Sequence, residues 1–145
     1  MKKLLFLKKV PIIFALLVLL IPSVLFAGEV VLIANKNVPD NSLAKEAVKA
    51  IFLGEKTKWS DNSRITFVAL KVPDEMDSFM KHYVGKSSFQ FDNYWKYQTF
   101  TGKGSPPRAF DNPDDLISFV AGTDGAVGYV SKDAPINNVK EIAVE

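Results

Sequence analysis

The chain has 145 residues, with 18 Lys and Arg, 16 Asp and Glu, one His and no Cys. The lack of Cys excludes disulfides, a thiol nucleophile and a Cys-ligated metal, and a lone His speaks against a zinc site. The excess of base belongs to the first 27 residues, where Lys2, Lys3, Lys8 and Lys9 meet no acid; the remainder has 14 basic against 16 acidic residues, which is no footprint for nucleic acid.

The basic start "MKKLLFLKK" is followed by an apolar run from Val10 to Ala27. That order predicts a signal peptide over residues 1–27, cleaved after Ala27, and export to the periplasm. The alternative is an uncleaved anchor helix, against which Pro11 and Pro22 count. No Cys follows the run, which excludes a lipoprotein anchor. Residues 28–145 have the length of one domain, able to bury a core without staples.

In chain order, the β-branched run Glu29 to Asn35 predicts a buried strand. Asn41 or Ser42 stands where it can cap a helix with apolar Leu43, Ala47, Val48, Ile51 and Phe52, stopped by Gly54. Trp59 follows in a loop, and Arg64 to Val72 reads as a second strand. Pro73 and Asp74 open a second helix with a stripe of Met76, Phe79, Met80, Tyr83 and Val84, closed by Gly85. Ser87 or Ser88 caps a third, which places Phe91, Tyr94, Trp95 and Gln98 on one face and ends near Gly102. Asn112 caps a fourth, with Pro113 at its first position and Asp114 and Asp115 at its positive end. Ala126 to Ser131 and the terminal "VKEIAVE" are the last two strands. The order β-α-β-α-α-α-β-β predicts an α/β domain with a small central sheet, three or four strands wide, flanked by helices.

The segment Gly102-Lys103-Gly104-Ser105 has the composition of a phosphate cradle. It follows a helix C-terminus, however, and Pro106 and Pro107 remove donors just beyond it, so it reads as a connector. His82 reads as a surface residue near a helix end, and Asp74, Glu75 and Asp77 as first-turn acids. Catalysis needs a nucleophile with a base, a carboxylate pair or a metal; no such set is evident, so no enzyme, cofactor or metal is expected. Lys86, Ser87 and Ser88 can bring an ammonium, hydroxyls and free N–H groups to one anion, or can serve as a plain cap. The six aromatics among Phe89, Phe91, Tyr94, Trp95, Tyr97 and Phe100 exceed what one core face can take. Tyr94, Tyr97 and Phe100, with Arg108 in "KGSPPRAF", are therefore the expected partner surface.

The phrases "VVLIANKNVP", "LAKEAVKAIFLGEKTKWSD", "ITFVAL", "YWKYQTFTGKGSPP" and "GAVGYVS" occur in that order. Together they resemble the phosphate-binding subunits of ABC phosphate transporters, notably their "IFLGK–x–x–x–W–[ND]–D" and "GAIGYV" segments. The resemblance implies a single lobe of a periplasmic-binding-protein-like (type II) fold, with Trp59 in the core. It implies inorganic phosphate or another small anion as ligand, and an ABC permease or other exported protein as partner. Two departures qualify it. The chain has length for about one lobe of a two-lobed receptor, and the anion loop after the second strand is replaced by "KVPDEMDSF", in which Ser78 alone resembles the loop. The second reading is therefore an interaction or sensory module that docks a partner or a second copy; a homodimer would rebuild a two-lobe cleft.

Overall fold

A computed structural model describes residues 29–145; the expected signal peptide, residues 1–27, lies outside them. The first strand, β1 (Val30–Asn35), is buried along its whole length, as an unbroken apolar run predicts for a central strand. It pairs antiparallel with β5 (Ala126–Ser131) on one side and β6 (Val139–Val144) on the other, so that Leu32 faces both Tyr129 and Ile142. Two short strands, β2 (Ser42–Leu43) and β4 (Arg108–Phe110), form the margins, and β3 (Thr66–Leu70) lies between β4 and β5. The order is β2-β6-β1-β5-β3-β4. The pairings make β1 run against the other five, which share one direction.

The sheet is six strands wide rather than the expected three or four, because β2 and β4 are too short to carry a period of their own. The expected cap at Asn41 or Ser42 is corrected with it. Ser42 and Leu43 pair with Ala143 and Val144, and α1 (Lys45–Phe52) starts later, with Ala44 in the cap position and no side-chain cap. The other helix boundaries follow their local signals. Pro73 opens α2 (Pro73–Phe79), which runs into a π-helical turn, Met80–Val84, ended by Gly85 at φ 74°. Ser87 caps α3 (Ser88–Phe100), and Asn112 caps α4 (Pro113–Gly122) with Pro113 in the first turn.

Helices cover both faces. Adjacent strand residues point to opposite sides. Gly128 meets Leu116 of α4, whereas Tyr129 stacks on Phe79 at 4.1 Å and approaches Phe52 of α1. The α4 face is therefore one layer, and α1, α2 and α3 form the other. Trp59 is buried, as the resemblance implied, and its Nε1 donates to the Gly125 carbonyl at 3.0 Å. At the same edge the buried Asn35 amide donates to the Val120 and Ala121 carbonyls at the end of α4. Among the described residues no helix is long and apolar enough to cross a membrane.

Two glycines separate conformational strain from steric contact. Gly102 and Gly125 have φ of 73° and 75°, but a Cβ on Gly102 would meet nothing within 4 Å, whereas one on Gly125 would lie 2.2 Å from the Arg64 carbonyl oxygen. Gly102→Ala is expected to cost only the left-handed penalty, about 1–2 kcal/mol. Gly125→Ala is expected to cost at least about 3 kcal/mol, because backbone must also move. Urea unfolding of the two variants distinguishes these outcomes. Tyr129→Phe removes the hydroxyl that donates to the Leu70 carbonyl at 2.7 Å in the core, and the same measurement is expected to show a loss of about 1–3 kcal/mol.

Candidate functional site

The shared direction of five strands brings the starts of three helices to one edge of the sheet. The Lys45 N–H of α1 donates to the Glu145 carbonyl at the end of β6, α2 follows β3, and α4 follows β4. In open α/β sheets this edge, beyond the carboxyl ends of the strands, is where ligands gather. Here its chemistry is largely acidic. Asp74 and Glu75 occupy the first turn of α2, and Asp114 and Asp115 that of α4. Such carboxylates favour the positive helix ends they sit on and oppose an incoming anion. Lys71, just past β3, is engaged elsewhere: its ammonium pairs with Asp92 of α3 at 2.5 Å.

Folding joins the end of α2 to the start of α3, and this is where three of the four expected ligand residues meet. Ser87 forms a full capping box: its hydroxyl accepts the Gln90 N–H at 3.1 Å while its own N–H donates to Gln90 Oε1 at 2.9 Å. Ser88 Oγ donates to Asp77 Oδ1 at 2.5 Å, and that hydrogen bond holds the Asp77 carboxyl below the usual carboxylate range. Both hydroxyls thus have structural employment. The Ser88 N–H also serves Asp77, which leaves the Phe89 N–H as the first-turn donor at the helix start. Lys86 Nζ lies 5.6 Å from the centre of the Tyr94 ring, a cation–π distance. Ser78 is half-buried within α2, next in sequence to the Asp77 that holds Ser88.

The expected partner residues are separated by the fold. Tyr94 turns inward, with its hydroxyl donating to the Leu53 carbonyl at 2.7 Å, and burial pushes its pKa up. Beside it, Trp95 Nε1 donates to the Phe52 carbonyl, so both side chains bind α3 to the end of α1. Tyr97 and Phe100 remain 59% and 92% exposed. Arg108 lies on the opposite face of the sheet, its guanidinium 4.9 Å from the Phe119 ring of α4.

Beside Phe100 the fold opens a groove of about 640 Å³, with Phe91, Trp95, Ala69 and Ala109 at its base and Pro106 and Pro107 on its wall. The aromatics and the proline pair were visible in the sequence, but the groove was not, since it needs β4 laid beside β3. The glycine–lysine segment is the exit of α3: the Lys103 N–H returns to the Gln98 carbonyl, and Gly102 through Ser105 are exposed.

The chain matches the PBP superfamily domain over residues 21–144. Among solved structures it is similar to a phosphate ABC transporter substrate-binding protein from Clostridium perfringens with bound phosphate, at TM-score 0.63 and 21% identity, covering 81% of this chain and 45% of that one. It is similar also to an ABC-type phosphate transport receptor from Vibrio cholerae, at TM-score 0.55 and 16% identity, covering 81% and 46%. PstS from Borrelia burgdorferi gives TM-score 0.59 and 13% identity, covering 81% and 47%. At these identities the likeness is one of fold, and the chain spans about half the length of each of the three. None of the curated proteins matches it. The match over most of the chain shows that the chain belongs to the PBP superfamily.

Proposed function

We propose that this chain is an exported, non-catalytic binding lobe that takes inorganic phosphate or another small anion on behalf of an ABC-type transport system. The observation that carries the reading is the superfamily match over residues 21–144, on a fold shared with a protein described as holding phosphate. In this reading Lys86 gives the charge and the Phe89 N–H a donor at the start of α3, with Ser87, Ser88 and Ser78 as the candidate hydroxyls. Asp77 opposes a dianion there, so affinity is low, and monoanionic phosphate is preferred to the dianion. The 145 residues span about half the length of the solved relatives, the extent of a single lobe. A permease, another exported protein or a second copy completes the enclosure.

The groove favours a second reading, an interaction module without a small ligand. Its apolar base and the 92% exposed Phe100 are what a docked chain would cover.

Thermal unfolding of the purified protein in millimolar phosphate, with sulfate as control, separates the two. A ligand at 100 times its dissociation constant stabilises by about 2.7 kcal/mol. The expected outcome is a rise in Tm that is larger in phosphate than in sulfate and is reduced in Lys86→Ala. Equal curves at every phosphate concentration would leave the interaction reading. Light scattering on the same samples is expected to show two copies if the second lobe is another copy of this chain.

A further inference from the structure

A separate charge cluster lies between α1 and the π-helical turn, where Lys45, Glu46, Lys49, Lys81, His82 and Tyr83 line a cleft of about 260 Å³. Three lysines and one histidine share this lining with a single glutamate. The arrangement opposes local electrostatic preference at two points. Lys45 is the first residue of α1, at its positive end, and Ala44 supplies no side-chain cap. Lys49 stands four residues on, where like charges repel along one helix face.

The π-turn brings the third lysine. Met80 and Val84 at its two ends are buried while Lys81 and His82 are exposed, and such turns within helices recur at functional sites. Neutralisation is partial: Glu46 lines the cleft and the charge of Lys81 reaches Asp77 one turn away, but among the described residues the ion pairs are Lys71 with Asp92 and Lys132 with Glu29. Composition does not force it either, since acids outnumber bases beyond the first 27 residues. Local rules are broken in this way where a site requires it.

We infer that this cleft seats a ligand bearing two or more phosphate charges, either a soluble condensed phosphate or the headgroup of an anionic phospholipid. Lysines act as point charges toward phosphate oxygens, and the start of α1 adds a positive dipole end, partly offset by Glu46 in its first turn. The cleft is smaller than the roughly 300–1,000 Å³ typical of sites for larger organic ligands, which fits a phosphate group better than a whole nucleotide. The site is independent of the one proposed above, because the Lys86 ammonium lies over Tyr94 of α3.

The test measures tripolyphosphate binding to the purified protein by calorimetry, and co-sedimentation with phosphatidylglycerol vesicles against phosphatidylcholine vesicles. Lys49→Gln/Lys81→Gln is expected to weaken binding at least tenfold and to flatten its salt dependence, while Lys86→Ala leaves it unchanged. The double variant is expected to unfold at the same or a higher temperature, because it relieves repulsion between exposed groups. Binding to tripolyphosphate alone assigns a soluble ligand, and binding to anionic vesicles alone assigns a headgroup. Failure to bind either probe overturns the inference, as does binding that survives the double substitution. Loss of the phosphate-selective shift in Lys86→Ala bears only on the site at α3.

Discussion

The domain is held together through the ring of Tyr129. It stacks nearly parallel on Phe79, with 4.1 Å between centroids and 7° between planes, and its buried hydroxyl donates to the Leu70 carbonyl at 2.7 Å. One side chain of β5 thereby fixes both the end of β3 and the end of α2. Burial drives the hydroxyl far above the ordinary tyrosine range, so it remains a neutral donor. The contact continues outward. Phe52 of α1 meets Phe79 edge-on at 4.7 Å and Phe67 of β3 at 5.5 Å, and Phe67 meets Trp95 of α3 at 5.6 Å. Edge-to-face and offset pairs of this kind each add about 0.5–1.5 kcal/mol beyond area burial. The position of α3, and so of everything at its start, is inherited from the core through this series.

That inheritance explains which parts of the fold were legible in the sequence. Pro73, Gly85, Ser87 and Asn112 mark helix ends through interactions within a few residues, and the structure places those ends accordingly. Ser42 carries an equally good local capping signal, but Ala143 and Val144, about a hundred positions away, draw it into a strand instead. Arg108 to Phe110 follow two prolines and read as connector; only β3 makes them a strand. The candidate site shows the same division. A serine that caps a helix and a serine that binds an anion have one sequence signature, and the pairing of Ser88 with Asp77 across the α2–α3 junction depends on tertiary placement. Tyr94 and Tyr97 are three residues apart on one helix, yet the end of α1 claims the first and leaves the second in solvent.

The direction of the strands then decides where an anion can be received. Because five strands point one way, α1, α2 and α4 all present their positive ends along one edge, a layout suited to negative ligands. Two of these ends are closed by the chain itself. Asp74 and Glu75 sit on α2, and Asp114 and Asp115 sit on α4, where the Asn112 side chain also accepts the Asp115 N–H and donates to its carboxylate. The start of α1 differs at this edge in having a single first-turn acid, Glu46, next to Lys45, and no side-chain cap. The start of α3 has its cap but no acid in its first turn, and Asp77 reaches it from α2. Helix dipoles alone would make all four starts equivalent. The side chains make them unequal: α1 and α3 each have one acid at the start, Glu46 and Asp77, whereas α2 and α4 each carry two and are least open to an anion.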